Sequence, residues 1–301
     1  MAAHAHRDAQ RRRRGFRHAH RGRRCGAQPG RAAGERLSCT LAITSHERPE
    51  ALAAVLASVT RQHTPPQEII IADDGSGPST FAIIRSFARS QSVPVRVLRQ
   101  PHEGFRVARL RNLAIAAATC EYLVFIDGDM LLHAEFVADH VRVARRGWYT
   151  QGVRAHADVG LTARLTAGWG PFPTLSTPGL GGLRRAYLLH SPRLAGVMRE
   201  AANAFVAIKA CNLGVWREDL LRVNGFNEDM VGWGPEDKEL CARLEHAGVR
   251  RQTLLFGGIA CHLHHAPVSR ATLQANLAIL AATRASRRVR ADHGLDAHLP
   301  R

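Results

Sequence analysis

Residues 122–129 read YLVFIDGD, five apolar residues followed directly by an Asp-Gly-Asp turn. A short apolar run without polar alternation predicts a β-strand that is covered on both faces. Carboxylates two positions apart on an extended segment point the same way, and paired hard oxygen ligands suit Mg²⁺ or Mn²⁺. The alternative is an Asp-Gly hairpin turn without a ligand. The flanking sequence favours the metal site.

The segments around this strand alternate between strand and helix patterns. We predict strands at residues 38–44, 67–73, 95–99 and 121–126, and helices at residues 48–61, 81–90, 107–118 and 134–146. This alternation is typical of βαβ units, and it predicts an α/β fold with a mixed, mainly parallel sheet flanked by helices.

The second half of the sequence is less regular. Residues 154–200 are rich in Gly and Pro and predict a long loop with short helices. Beyond them we predict a strand at 210–216, helices at 217–223 and 236–247, a strand pair within 250–262 and a last helix at 269–288.

Polar clusters follow three of the predicted strands, namely residues 44–48 (TSHER), 73–76 (DDGS) and 127–129 (DGD). In open parallel sheets, ligands bind beyond the carboxyl ends of the strands, so these clusters should face one site. Residues 73–76 could instead form a simple turn and helix cap. Arg111 could lie on a solvated helix face, or it could offer charge-assisted hydrogen bonds to a phosphate at this edge.

The sequence GWGPED at residues 232–237 is the most informative segment of the second half. An acidic residue is favoured at the start of a helix, which is a purely structural explanation for Asp237. Alternatively, Asp237 is a general base, Glu236 binds a sugar hydroxyl and Trp233 supports a sugar ring. We favour the second interpretation, because packing alone seldom requires a Gly-Trp-Gly turn.

Three histidines, His262, His264 and His265, lie at or just after the end of the last predicted strand. In an extended strand His262 and His264 share a face, and either one could complete a divalent metal site with the carboxylates. A structural zinc site with Cys261 is the alternative, although no C-x-x-C pair accompanies it.

The net charge of +17 lies largely in the first 36 residues, which carry eleven Arg and two acidic residues. We predict that residues 1–36 form a disordered basic extension, because the segment lacks apolar periodicity. A solvated tail is favoured over contact with anionic lipid or nucleic acid, and a nucleic-acid partner is not expected. Arginines also cluster near the other end of the chain and motivate a hypothesis of membrane contact: Arg284, Arg287, Arg288 and Arg290.

Targeting signals and cysteines indicate the compartment. Neither a secretory signal nor an apolar stretch long enough to span a bilayer is recognisable. The six cysteines are scattered and predict reduced thiols. We expect a cytoplasmic protein, peripheral on the inner face of the plasma membrane if it contacts lipid.

Taken together, the motifs resemble the GT-A fold, family 2-like glycosyltransferases over residues 37–265. The second half resembles a galactosyltransferase-type module that also occurs in bacterial chondroitin-type polymerases and β-1,4-galactosyltransferases. Two positions depart from the family pattern: Pro235 replaces a glycine, and His46 stands where relatives often carry Asn or Arg.

The resemblance assigns roles residue by residue. It implies catalysis by Asp237 with Glu236, and acceptor binding by Trp233, Gly234, Glu236 and Asn212. Donor contacts are implied for Thr44, His46, Arg48, Asp73, Asp74, Arg111, Asn112 and Asp127. A metal ion, Mn²⁺ or Mg²⁺, would be held by Asp127 and Asp129 with His262 or His264.

The resemblance also implies a domain plan and a reaction. Residues 37–268 form the transferase domain, with a nucleotide-sugar half (37–153) and an acceptor half (154–268), and residues 269–301 form a terminal helix and basic tail. The expected reaction is inverting transfer from a UDP-sugar, with galactose or N-acetylgalactosamine favoured, to a glycan or lipid-linked acceptor in cell-surface polysaccharide synthesis. The alternatives are a sugar-nucleotide nucleotidyltransferase and a non-catalytic binding protein.

Overall fold

A seven-stranded mixed sheet forms the centre of the computed structural model, which describes residues 37–168 and 170–300. The predicted basic extension 1–36 lies outside the described residues. The strands are β1 (Cys39–Ser45), β2 (Glu68–Asp73), β3 (Val95–Arg99), β4 (Tyr122–Asp127), β5 (Met130–Leu132), β6 (Trp148–Gly152), β7 (Arg154–His156), β8 (Asn212–Trp216), β9 (Arg250–Leu254) and β10 (Ala260–His262).

Helices cover both faces of this sheet. The described α-helices are α1 (Pro49–Thr60), α2 (Pro78–Ser90), α3 (Val107–Ala117), α4 (Phe136–Val143), α5 (Val159–Thr166), α6 (Pro192–Met198), α7 (Arg217–Arg222), α8 (Glu236–His246) and α9 (Leu273–Ser286). Short 3₁₀ helices span Gly182–Leu188, Ala201–Ala204 and Leu295–His298.

The large sheet has the strand order β3-β2-β1-β4-β8-β6-β9. Strands β3, β2, β1 and β4 are parallel, whereas β8 runs antiparallel to both β4 and β6. A second sheet of three short strands has the order β5-β10-β7. The predicted α/β class with a mainly parallel sheet flanked by helices is therefore confirmed.

The apolar runs explain why the central strands lie inside. Every residue of β1 and β2 is buried, and separate apolar clusters pack on the two faces of the sheet. Ile70 belongs to one cluster, whereas its neighbours Ile69 and Ile71 belong to the other, as the two-residue period of a strand requires. The register sets Thr44 of β1 beside Asp127 of β4, and Ser45 beside Asp73 of β2. Three strand ends thus meet at one edge.

One prediction of secondary structure was wrong, and three strands were missed. The segment 250–262 does not form a strand pair, because β9 joins the large sheet beside β6 and β10 pairs with β5 and β7. The short strands β5, β6 and β7 were not predicted at all. Strands β5 and β7 have three residues each, too few for periodicity to reveal them, and the five residues of β6 (WYTQG) form neither an apolar run nor an alternating pattern.

Helix α8 is anchored by a fully buried ion pair. Arg243 Nη2 donates to Glu239 Oε2 at 2.7 Å and also to the carbonyl oxygen of Gly225 at 2.8 Å. From α9, the Thr283 hydroxyl donates to Glu239 Oε1 at 3.0 Å. These contacts hold the amino-terminal turn of α8 in place, and that turn carries Glu236 and Asp237.

The membrane hypothesis stays a prediction. Within the described ranges no helix is both long enough and apolar enough to cross a bilayer. Of the four clustered arginines, Arg288 pairs with Asp292 and Arg290 pairs with Asp296, all of them on the surface.

Candidate active site

The converging strand ends form the floor of a cleft, which we call the first cleft. Its lining includes most of the predicted donor and metal residues: Thr44, His46, Arg48, Asp74, Arg111, Asp127, Asp129 and His262. It also includes Trp233, which was predicted to contact the acceptor. An adjoining second cleft is lined by residues of the 232–237 turn, among them Trp233, Gly234, Glu236 and Asp237. Arg111, Asp127 and Trp233 line both clefts, so the two are continuous.

Arg111 links the carboxylates of the two clefts. Its Nη2 donates to Asp127 Oδ1 at 3.0 Å, and its Nη1 donates to Glu236 Oε1 at 2.8 Å. The arginine is 3% exposed, and its guanidinium carbon lies 5.2 Å from the centre of the Phe226 ring. Thr44 Oγ1 also donates to Asp127 Oδ1 at 2.8 Å. Burial alone would raise the pKa of Asp127, but the positive charge of Arg111 outweighs that effect and lowers the pKa, so the carboxylate stays ionised.

Asp129 lies opposite two histidines. The Nε2 atoms of His262 and His265 are each 3.6 Å from Asp129 Oδ2, which also accepts a 2.8 Å hydrogen bond from Arg48 Nη1. Burial and the neighbouring Asp127 raise the pKa of Asp129 to about 6. Burial, with Arg154 second, lowers the pKa of His262 to about 3, so this imidazole is neutral at pH 7.

This cluster fits a divalent cation. One ligand atom each from Asp129, His262 and His265 lie within 4.8 Å of one another. Asp129 Oδ1 is buried and has no hydrogen-bond partner among the described residues, and a buried carboxylate atom without a partner is costly. A carboxylate with two imidazole side chains is a donor set that Mn²⁺ and similar ions accept.

A second group of potential ligands comprises His46, Asp74 and His102. Both oxygens of its carboxylate are already bonded, because Gln100 Nε2 lies 2.6 Å from Asp74 Oδ1 and His102 Nδ1 lies 2.9 Å from Oδ2. The rings of His46 and His102 stack at 4.2 Å. The Asp129 group is therefore the better candidate for the metal.

The structure corrects one predicted ligand and leaves another outside the cluster. His264 is exposed, and His265 takes the place beside Asp129. The prediction assumed that the strand continues, but β10 ends at His262 and the alternation of faces ends with it. Asp127 is not part of the three-residue group either, and its role as a ligand stays a prediction.

The loop after β1 carries backbone strain. Glu47 and Arg48 both have left-handed backbone conformations, with φ of 50° and 58°, which are unfavourable for non-glycine residues. Arg48 thereby reaches Asp129 and, at 2.9 Å, the carbonyl oxygen of His264. Strain of this kind persists where surrounding contacts enforce it. Here it places the guanidinium group of Arg48 beside the candidate metal site.

The second cleft contains two adjacent acidic residues with perturbed pKa values. Burial and the charge of Asp237 raise the pKa of Glu236 to about 7. Burial also raises the pKa of Asp237, against the opposing effect of Lys209 and Arg111. The backbone N–H of Ala210 donates to Asp237 Oδ2 at 3.3 Å and that of Lys238 donates to Oδ1 at 2.7 Å. The raised pKa makes the Asp237 carboxylate a stronger base than an ordinary aspartate, which suits it to proton transfer.

The glycines of the 232–237 turn have a packing function that the sequence did not reveal. A Cβ atom on Gly232 would lie 2.2 Å from Thr272 Oγ1, and one on Gly234 would lie 2.3 Å from Asn276 Nδ2. Gly232 also has a φ of 76°. The turn is therefore pressed against Thr272 and Asn276 of the α9 region. Packing does require glycine at these two positions, contrary to the expectation that it seldom requires such a turn.

Three predicted contact residues do not line either cleft. Asp73 is fully buried and accepts hydrogen bonds from the backbone and hydroxyl of Ser76. Asn212 donates to the carbonyl oxygens of Val153 and Gly258, while His140 Nε2 lies 2.8 Å from its Oδ1. Both side chains hold loops together.

Asn112 is the third of these residues. Its Nδ2 donates to the carbonyl oxygen of Phe226 and to Glu228 Oε1, and the Phe226 N–H donates back to its Oδ1 at 2.7 Å. The side chain is fully buried. Its neighbour Arg111 faces the clefts, because adjacent helix positions point about 100° apart.

We expect Asn112→Ala to lower the free energy of unfolding by about 1–3 kcal/mol, because it leaves buried polar groups at Phe226 unpaired. The KM for the donor should stay within a factor of about two. Chemical denaturation and initial-rate kinetics on the same preparation measure both quantities. If the variant has unchanged stability and a donor KM raised tenfold, the prediction that Asn112 contacts the donor is correct after all.

Several cleft residues were not predicted from the sequence, among them the basic side chains of Arg154, Lys209 and His265. Arg154 lies in β7 and lines both clefts, and Lys209 lines the second cleft. No motif surrounds either residue. The only sequence feature that pointed to Arg154 and Lys209 was their position in the irregular half that was expected to bind the acceptor. His265 is adjacent to His264, which was predicted as a ligand.

Family models match both halves of the chain. Residues 40–188 match the model for "Glycosyl transferase family 2", and residues 202–266 match the model for "N-terminal domain of galactosyltransferase". The second match contains the 232–237 turn and the histidines of the candidate metal site.

Curated relatives include transferases and synthases of bacteria. Validoxylamine A glucosyltransferase of Streptomyces hygroscopicus subsp. limoneus is 27% identical over 226 residues, which are 70% of this chain and 48% of the relative. Chondroitin synthase of Pasteurella multocida (strain Pm70) is 24% identical over 75% of this chain and 25% of the relative. The chain thus spans half or less of the length of these relatives.

The crystal structure of GalNAc-T7 with UDP, GalNAc and Mn²⁺ resembles the fold, with a TM-score of 0.56 and 15% sequence identity. The likeness covers 77% of this chain and 45% of that protein. At this identity the comparison concerns the fold, and it confirms the predicted GT-A architecture.

Proposed function

Because this chain belongs to glycosyl transferase family 2, we propose that it transfers a sugar from a UDP-sugar to a hydroxyl group of a glycan or lipid-linked acceptor, with inversion. UDP-galactose and UDP-N-acetylgalactosamine are the favoured donors, since the second half matches a galactosyltransferase model. Cell-surface polysaccharide synthesis is the proposed context, as in the synthases among its relatives.

One observation carries this proposal: the first and second clefts meet at Arg111 and Asp127, with Asp237 on the far side. A donor in the first cleft would thus have its anomeric carbon near an acceptor in the second. Holding both substrates across such a junction removes much of the entropic cost of their encounter.

The residues of the first cleft would orient the donor. Asp74 and the stacked rings of His46 and His102 are the proposed contacts of the uridine end. Arg48, Arg111 and Arg154 supply positive charge for the diphosphate. A divalent ion, proposed as Mn²⁺ on Asp129, His262 and His265, would supply further neutralisation of the leaving group when bound.

Asp237 is the proposed general base. Its carboxylate would accept the proton of the acceptor hydroxyl as that oxygen bonds to the anomeric carbon and the bond to the diphosphate breaks, with the electron pair leaving on UDP. Glu236, held by Arg111, would accept a hydrogen bond from another acceptor hydroxyl. Trp233 offers an apolar surface to the sugar ring and lines both clefts.

The test is UDP release from a panel of UDP-sugars, in Mn²⁺ and in EDTA, with and without an acceptor extract. We expect release from one donor that requires the metal and is stimulated by acceptor. If no donor is turned over and UDP with Mn²⁺ does not bind, the proposal is wrong.

A further inference from the structure

A third cavity opens beside the second cleft, between β7, the 3₁₀ helix Gly182–Leu188 and residues 205–212. Its polar lining is strongly basic and includes Arg154, Arg184 and Lys209, together with His156. The lining residues include no Asp or Glu. Tyr187 and Phe205 add aromatic surface, and Phe205 is 57% exposed.

Among the described residues, none of the three cations forms a direct ion pair with an acidic side chain, although the charges of Asp127 and Asp129 act on Arg154 and that of Asp237 acts on Lys209. Arg184 Nη1 donates to the imidazole Nε2 of His156 at 2.9 Å, and Arg154 Nη1 contacts the Cys211 sulfur. Lys209 forms no side-chain hydrogen bond or ion pair within residues 37–168 and 170–300. Three positive charges around one cavity repel one another, and a bound anion relieves that repulsion.

The position of the cavity indicates which substrate would reach it. It shares Arg154, Lys209 and Cys211 with the second cleft, but only Arg154 with the first. A molecule whose hydroxyl group faces Asp237 could extend past Lys209 into the cavity. The uridine end of a donor would lie in the opposite direction, near Asp74.

We propose that this cavity binds an anionic group, a carboxylate or a phosphate, carried by the acceptor, an inference that rests on the proposed function. Arginine and lysine form strong charge-assisted hydrogen bonds to such groups. The faces of Tyr187 and Phe205 suit the apolar side of a sugar ring. The acceptor class is therefore an acidic sugar, such as a hexuronate or a sugar phosphate.

The direct test compares three glycosides by calorimetric titration in the presence of UDP and Mn²⁺: methyl β-glucuronide, methyl β-glucoside 6-phosphate and neutral methyl β-glucoside. We expect wild-type protein to bind at least one anionic glycoside about tenfold more tightly than the neutral one. Arg184→Gln should reduce that preference to about twofold, and Arg184→Lys should restore part of it.

Arg185→Gln is the matched control, since it removes the same charge from the next residue of the same 3₁₀ helix, and Arg185 does not line the cavity. This variant should keep the full preference. Equal binding of all three glycosides by wild type, or the same preference in Arg184→Gln as in wild type, would overturn the inference. The glycoside that binds more tightly identifies carboxylate or phosphate as the ligand.

The anionic group in the cavity could also be a carboxylate on the sugar of the donor. UDP release from UDP-glucuronate and from UDP-glucose separates the two sources: a donor preference that disappears in Arg184→Gln would assign the cavity to the donor and overturn the acceptor assignment. UDP release without any glycoside preference would refute this inference alone. A glycoside preference that depends on Arg184, together with no turnover of any donor and no binding of UDP with Mn²⁺, would refute the transferase instead.

Discussion

Substitution of Asp237 by asparagine is expected to lower kcat for sugar transfer by about 10²- to 10⁴-fold, the usual contribution of a general base. The amide keeps the shape of the side chain but cannot accept the hydroxyl proton. The hydrogen bond from the Ala210 N–H to Asp237 Oδ2 is long, at 3.3 Å. The substitution should therefore displace the backbone at Ala210 only slightly. The KM for the donor should change little, because Asp237 lines only the second cleft.

The control is Asp219→Asn, which alters a second acidic residue whose pKa is raised by burial and which lies in α7, outside both clefts. Initial rates of UDP release with saturating donor and acceptor measure both variants. If Asp237→Asn retains more than about a tenth of the wild-type kcat, Asp237 is not the base and Glu236 becomes the candidate.

His265→Ala is expected to weaken Mn²⁺ binding by about 100-fold, because even residues that only support metal ligands change affinity by about 10- to 100-fold when they are removed. His264→Ala should bind Mn²⁺ like wild type, since His264 is exposed and only its backbone contacts Arg48 and Thr162. Isothermal titration with Mn²⁺ measures binding directly and does not depend on knowing the substrates.

The two histidines are adjacent, so the pair forms its own matched control. Both variants remove one imidazole from the same loop, and their stabilities should be similar. A loss of affinity in His264→Ala with none in His265→Ala would support the ligand set predicted from the sequence. If both variants bind Mn²⁺ with equal affinity, neither His264 nor His265 is a ligand, and the candidate ligands are Asp129 and His262.

Local patterns were sufficient to predict the architecture. The apolar runs of β1, β2 and β4 alternate with amphipathic helices, and parallel strands with helical connections place their carboxyl ends at one edge. The convergence of Thr44, Asp74 and Asp127 on the first cleft therefore followed from strand boundaries alone. Segment lengths and hydrophobic periods determine these features, and both can be counted along a sequence.

The identity of the partners could not be predicted in this way. Arg111 meets Glu236 across 125 positions of the chain, and Asn112, one residue further, turns into the core towards Phe226. The rotation of a helix about its axis decides which of two neighbouring polar residues faces a cleft. Hydrophobic periodicity does not give that rotation precisely enough to choose between them.

The sequence thus determined the fold class, the edge of the sheet that forms the site and the acidic residues there, because these depend on strand periodicity and chain order. Only the tertiary structure selected His265 over His264, withdrew Asn212 from the acceptor contacts and added Arg154 and Lys209. Those choices depend on where short strands end and on contacts between distant segments. They arise from packing in three dimensions, for which the local pattern contains no signal.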